Sequence, residues 1–371
     1  MTATDTNPVD TAEPLASLAP DRVGAFAGRM LGVIADASTA LTLSIGHRTG
    51  LFDVLADLPP STSEEIARAA GLHERYVREW LGAMLVGGIV EHDPDHGTWW
   101  LPPDHAAVLT RAAGPDNLAR LAQFIGLMAD VEHEVVRCFH EGGGVPYAAY
   151  DKFHALMGED SRDLAEGILV DEVVPLVDGL ADRLAAGIAV ADVGCGSGHH
   201  LAVLADAFPA STFVGWDFSK EAIAQARATA EARGLSNVRF ELRDVVDLSG
   251  TGPFDLVTAF DAIHDQAHPA RVLRNIADVL APGGAFLMVD IKASSHPNEN
   301  VDLPTAPFVY AVSLMHCMTV SLAQDGTGLG AAWGEQTATR MLHEAGFGAV
   351  EVREVEGDVV NNYYVARLEP R

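Results

Sequence analysis

Ile188-Ala189-Val190-Ala191-Asp192-Val193-Gly194-Cys195-Gly196-Ser197-Gly198-His199-His200 is the stretch on which the fold turns. An apolar, β-branched run comes first, three glycines follow at alternate positions, and Leu201 to Phe208 continues with helical character. The order is strand, tight loop, helix. Glycine lets the loop take positive φ and come close to a ligand that a Cβ would hold off. The helix start adds N–H groups that have no partner inside the helix. The loop is therefore a clamp for a small molecule, and its spacing excludes two common ones. A dinucleotide fingerprint needs Gly or Ala five positions after the first glycine, where this chain has His199. A phosphate-binding P-loop needs Gly-Lys-Ser/Thr, which is absent.

Downstream, Asp217 ends the apolar run Thr212 to Trp216, and Asp244 follows Val238 to Leu242. Two acids, each ending a predicted strand, suit the ribose hydroxyls and adenine amino group of a nucleoside that brings no phosphate. Strands are expected at 188–193, 212–217, 238–243, 254–260 and 285–291, with helices at 201–208, 220–233 and 270–280 between them. This alternation predicts a doubly wound, mostly parallel sheet with its ligand at the strands' carboxyl ends. A helix over Glu335 to Glu344 and strands near 348–354 and 362–368 complete the domain.

These residues resemble the class I S-adenosylmethionine-dependent methyltransferases. The likeness runs through the loop Asp192 to Gly198, the acids Asp217 and Asp244, the strand Phe254 to Phe260, and Pro282-Gly283-Gly284 before the strand Ala285 to Ile291. It implies S-adenosyl-L-methionine as cofactor, held by Asp192, Gly194, Cys195, Gly196, Asp217, Phe218, Asp244, Val245 and Phe260.

The chain has 371 residues, which suits more than one domain, and its 48% hydrophobic and 20% charged residues describe a globular protein with a sizeable core. A formal charge of −28 argues against partnership with the nucleic-acid backbone or an anionic membrane surface. Cys138, Cys195 and Cys317 are far apart, so neither a disulfide framework nor a zinc motif is suggested. No run reaches membrane-spanning length and no signal-peptide pattern opens the chain, which predicts a cytoplasmic protein.

Residues 1–20, rich in Thr, Ala, Pro and Asp, read as a disordered arm. A winged-helix domain is expected over 21–103. Apolar residues recur at helical spacing from Val23 to Leu55, with Gly46 and Gly50 marking breaks. Ser61-Thr62-Ser63-Glu64-Glu65 opens a short helix that Gly71 stops. Glu74 to Val86 forms a second helix, and Gly87 to His92 with Thr98 to Leu101 forms a hairpin wing. DNA reading is disfavoured, because His73 to Trp80 matches two arginines with two glutamates and lacks a cationic excess. The pattern resembles instead the N-terminal domain of small-molecule O-methyltransferases, which implies a homodimer with Trp80, Leu81, Met84 and Leu85 in core or dimer contacts. Residues 104–183 read as a helical bridge, with one long helix over Asn117 to Phe139 and another over Ala149 to Met157. The catalytic domain is expected over 184–371.

Methyl transfer from a sulfonium is an in-line displacement, so an acceptor atom must be placed behind the methyl group and, where needed, deprotonated. The loop after the 254–260 strand carries His264-Asp265, which resembles the His-Asp-Trp segment of winged-helix O-methyltransferases. That resemblance makes His264 the general base, with Asp265 and Asp290 beside it. The family commonly flanks its histidine with two glutamates. Here Asp290 stands at the first position and Ala332 at the second, with Glu335 close by, and Gln266 replaces the tryptophan. The acceptor wall is expected to include Phe153, Met157, Met315, Met318 and Trp333. His264, Asp265, His268, His316 and Cys317 show no diagnostic ligand spacing, and no metal is expected. The leading expectation is O-methylation of a small, largely apolar acceptor. The alternatives are N-, S- or C-methylation by proximity without a base, and a winged-helix regulator that uses the cofactor domain as a sensor.

Overall fold

The computed structural model describes residues 20–150 and 152–369, so nearly all of the expected N-terminal arm lies outside the described residues. The chain divides into two units, one running to Ala113 and including Asn117–Ile125, the other comprising Gly114–Asp116 and Gly126 onward. The residues read as a bridge are thus shared between both.

In the first unit, helix α1 (Pro20–Thr49) runs on through Gly46 instead of breaking there. A Cβ at Gly46 would stand 2.6 Å from the rings of Phe52 and Trp80, so this glycine serves close packing. The break falls only at Gly50, at φ 73°, before α2 (Leu51–Asp57). Thr62 caps α3 (Ser63–Ala70) in a reciprocal box with Glu65, and left-handed Gly71 ends it. Helix α4 (Glu74–Val86) buries Val77, Trp80, Leu81 and Met84, and Trp80 Nε1 donates to the Thr42 carbonyl at 2.8 Å. Leu85 stays exposed. Strands β1 (Glu91–Asp93) and β2 (Thr98–Trp100) pair antiparallel as the wing. On α4 the arginines are matched: Arg75 pairs with Glu79, and Arg78 with Glu74 at 3.3 Å.

After α5 (Pro103–Leu109), the long helix expected from Asn117 is split into α6 (Leu118–Leu121) and α7 (Gln123–Glu141). Ala122 keeps helical dihedrals, but its N–H turns to the Arg120 carbonyl, which interrupts the ladder. Helix α8 spans Phe153–Gly167, later and longer than expected, because Tyr147–Ala149 forms a separate tight turn first. Helix α9 (Leu180–Ala186) leads into the sheet.

The sheet follows the sequence closely. Strand β3 (Ala189–Val193), α10 (His199–Ala207), β4 (Thr212–Asp217), α11 (Lys220–Ala232), β5 (Val238–Leu242), β6 (Phe254–Phe260), α12 (Pro269–Val279) and β7 (Leu280–Ile291) alternate in order. Helices α13 (Ala306–Val312), α14 (Met318–Leu322) and α15 (Gly334–Glu344) precede β8 (Phe347–Arg353) and β9 (Asn361–Leu368). The strand order is β5-β4-β3-β6-β7-β9-β8, with β9 antiparallel to both neighbours. Consecutive strands β3, β4 and β5 run outward one way and β6 starts the other way, so the topological switch lies between β3 and β6, where open α/β sheets bind ligands. Val190, Ala191, Val257, Phe286 and Met288 are fully buried at the centre.

Candidate active site

At the carboxyl ends of β3 and β6 lies a cavity of about 470 Å³. The glycine loop forms its floor. Gly194 takes φ 72°, and a Cβ there would stand 2.5 Å from that of Ala262. Gly198 takes φ 75°, with the Phe240 ring 2.6 Å from the place a Cβ would occupy. These glycines answer both a backbone and a packing demand. The loop is tied to the next strand: the Gly194 and Cys195 N–H groups donate to the Trp216 carbonyl at 2.9 and 3.0 Å. Gly196 N–H donates to Asp217 Oδ2 at 3.0 Å, and Ser219 N–H donates to Asp217 Oδ1 at 2.8 Å.

All nine residues expected to hold the cofactor, Asp192, Gly194, Cys195, Gly196, Asp217, Phe218, Asp244, Val245 and Phe260, line this one cavity. Asp192 is buried at the end of β3 and accepts a hydrogen bond from Thr258 Oγ1 at 2.7 Å. Burial pushes its pKa up to about 7, against the lowering pull of that bond and with a further rise from Asp217. The Cys195 thiol is likewise pushed well up by burial.

Beside this cavity sits the His264 cluster. Strands β6 and β7 run parallel with Phe260 opposite Val289, which sets Asp290 against the loop that follows β6. His264 Nδ1 donates to Asp290 Oδ1 at 2.8 Å, and its Nε2 lies 3.2 Å from Asp265 Oδ1. Asp290 Oδ1 also accepts from Trp333 Nε1 at 3.0 Å and from the Ile291 N–H at 2.9 Å. Burial alone would drive the imidazole neutral. The carboxylates of Asp290 and Asp265 outweigh it and hold the His264 pKa well above the ordinary histidine range. Burial acts on Asp265 in the opposite sense to its partner, but the adjacent His264 prevails and holds its carboxyl below the usual range. Of the three residues expected to be catalytic, Asp265 reaches the cavity wall, while His264 and Asp290 stand behind it.

Of the residues expected in the acceptor wall, two reach this cavity. Phe153 and Met157 line the cavity, and Phe153 stacks on His316 with ring centroids 3.8 Å apart. After β7 the cavity lining takes Val320 of α14 and Gln324 of the turn that follows it, and does not include Met315 or Met318. Met318 is two residues from Val320 and so points to the opposite side of α14. Trp333 is buried under Asp290 and serves as a hydrogen-bond donor there. The sequence reading passed over Tyr147, His200, Asp261, Arg243 and Arg271, which also line the cavity. His200, the second residue of α10, stacks on Phe260 with centroids 3.8 Å apart. Its place directly after the glycine loop was the available signal. Burial keeps it neutral, with its pKa down to about 3.

Comparison with known proteins agrees with this architecture. A methyltransferase-domain family model matches residues 184–346, and the model of an Rv2258c-like winged HTH domain matches residues 37–111. The chain thus carries a methyltransferase domain with the class I methyltransferase fold, preceded by a winged HTH domain. Over 117 residues it is 38% identical to the trans-aconitate 2-methyltransferase of Deinococcus radiodurans, covering 32% of this chain and 42% of that protein. It spans 38–54% of the length of the first curated relatives it matches. Among solved structures, the mitomycin 7-O-methyltransferase MmcR is similar over 94% of this chain and 100% of its own, with TM-score 0.69 and 18% identity. Human N-acetylserotonin methyltransferase in complex with S-adenosylmethionine (SAM) is similar over 92% and 97%, with TM-score 0.65 and 16% identity. At such identities the likeness is one of fold.

Proposed function

We propose that the protein transfers the methyl group of S-adenosyl-L-methionine to a small, largely apolar acceptor, at oxygen, with a general base built on His264. The observation that carries this reading is the cavity at the switch point, where the glycine loop and the strand-ending Asp217 and Asp244 meet the Asp265 end of the His264 cluster. Asp290 fixes His264 through Nδ1, and Asp265 is the member of the pair that reaches the cavity wall. With the His264 pKa raised, the pair takes the acceptor's proton as one unit in the fraction of molecules whose imidazole has lost its own. Phe153 and Met157 supply apolar wall on the acceptor side.

A homodimer formed through the N-terminal unit is part of the same reading. Helix α1 leaves Phe26, Ile34, Leu41 and Ile45 exposed at helical steps, a face that a second copy would cover. The matched arginines of α4 support a role other than DNA binding. Among the described residues no helix is long and apolar enough to cross a membrane, and a cytoplasmic location belongs to the proposal.

Calorimetry with S-adenosylmethionine and its demethylated product, S-adenosylhomocysteine (SAH), followed by transfer of a labelled methyl group to candidate acceptors, tests the reading. Replacement of His264 by Ala should lower turnover about 10²–10⁴-fold with product affinity held within about twofold. Absence of cofactor uptake refutes the methyltransferase activity, and near-normal turnover in the variant removes the base alone.

A further inference from the structure

His264, Asp265 and Cys317 each offer one donor atom, and the three atoms lie within 4.8 Å of one another. His264 and Cys317 are almost completely buried, and Asp265 opens onto the cavity. The place is built rather than incidental. Cys317 ends a widened, π-helical turn, Ser313–Cys317, a local distortion that is uncommon and concentrated at functional sites. His264 commits Nδ1 to Asp290, which leaves Nε2 facing Asp265. A buried carboxylate behind the far nitrogen is the support that metal-bound imidazoles commonly have, and Asp290 is itself fixed by Trp333 Nε1 and the Ile291 N–H. A cysteine kept only for packing has no need of an imidazole and a carboxylate at its sulfur. The neighbouring His316 turns its ring onto Phe153.

The geometry points to a divalent metal site of the zinc class, held by His264 Nε2, an Asp265 carboxylate oxygen and Cys317 Sγ, with its remaining position toward the cavity. Sulfur with imidazole selects zinc or cobalt over magnesium, calcium or manganese. Three protein ligands with one position left is the pattern of a catalytic zinc, whereas structural sites close all four. Donor atoms around tetrahedral zinc stand about 3–4 Å apart, and Nε2 and Asp265 Oδ1 already lie at 3.2 Å. The metal takes the place between them, so in the loaded protein His264 Nε2 is a ligand, the general-base role proposed above belongs only to the metal-free protein, and the ion takes over the activation of the acceptor. Such an ion lowers the pKa of a hydroxyl or thiol presented at its open position. Only this consequence rests on the methyltransferase reading; the site rests on the three donors.

The test uses the full chain produced with zinc supplied and freed of loose metal by gel filtration. Elemental analysis should find about one zinc per chain, and Co²⁺ added to chelator-stripped protein should give a sulfur-to-cobalt absorption band. Cys317→Ser should abolish the band and weaken zinc affinity at least about 10–100-fold, with uptake of the demethylated cofactor unchanged. Asp265→Asn, which preserves shape, should weaken zinc as well, and melting curves recorded without metal verify that both variants fold. Less than about a tenth of a zinc per chain in the wild type, or a band that survives Cys317→Ser, overturns the site. Cofactor uptake without zinc removes the site alone, whereas zinc without cofactor uptake removes the methyltransferase reading and leaves the site.

Discussion

Replacing Asp290 by Asn keeps the shape of the side chain and removes its charge, and the structure sets the size of the effect. Three donors converge on Oδ1: His264 Nδ1, Trp333 Nε1 and the Ile291 N–H, at 2.8, 3.0 and 2.9 Å. An amide oxygen in the same place keeps all three bonds, but each falls from the range of a bond to a charged group to that of a neutral one, a loss of about 1 kcal/mol apiece. Asp290 Oδ2 is buried without a hydrogen-bond partner, so the new NH₂ finds no acceptor there and gives nothing back. The variant should therefore lose about 3 kcal/mol near neutral pH. The loss should itself depend on pH. The His264 pKa is raised in the folded protein, because the Asp290 and Asp265 carboxylates outweigh the opposing effect of burial. Its contribution is thus full below the ordinary histidine value of about 6.5 and fades as pH climbs through the raised value. Urea titrations of both proteins across that range, followed by tryptophan fluorescence, should show the gap widest in mild acid and narrowing in alkali. A difference under about 0.5 kcal/mol, or a gap that does not change with pH, refutes the reasoning.

Gly198→Ala forces a side chain onto φ 75° and toward the Phe240 ring, and should cost about 2–5 kcal/mol from backbone strain and overpacking, with cofactor uptake lost; an unchanged melting temperature would count against it. Asp192 carries a pKa raised to about 7, so its charged form penalises the fold increasingly as pH rises from the ordinary carboxyl range through 7. Asp192→Asn should consequently raise the melting temperature at pH 8 much more than at pH 4 while weakening cofactor binding, and an equal shift at both pH values would disprove it. Ile34→Glu on the exposed face of α1 should halve the mass seen by light scattering and leave the fold intact; a wild-type protein that is already monomeric removes the dimer.

The sheet and the loop were legible because their determinants are local. Alternating glycines, a capping Ser219 and a stopping Gly234 each act within a few residues of where they stand, and strand-ending acids are placed by topology once the strands are found. What the sequence concealed depends on contacts between distant residues. Trp333 reads as an apolar wall until β7 brings Asp290 to it across 43 positions. Gly46 reads as a break because a lone glycine weakens a helix by about 1 kcal/mol, yet here it makes room for Phe52 and Trp80. Met315 and Met318 look like pocket lining by residue type, and only the folded course of the chain shows that Val320 and Gln324 are the ones that reach the cavity.

The acids around the cavity share a single electrostatic logic. Asp192, Asp217, Asp244, Asp261 and Asp265 face it, against Arg243 and Arg271. S-adenosylmethionine carries a sulfonium and an ammonium against one carboxylate, and methyl transfer erases the sulfonium charge. A wall with excess negative charge favours the cationic cofactor and loses part of its hold once the methyl group has gone, because the interaction scales with the charge present. In the proposed reaction the arrangement would therefore help to release the product from the same contacts that captured the donor. Asp192, with its pKa raised by burial, is the acid whose charge a nearby cation would restore.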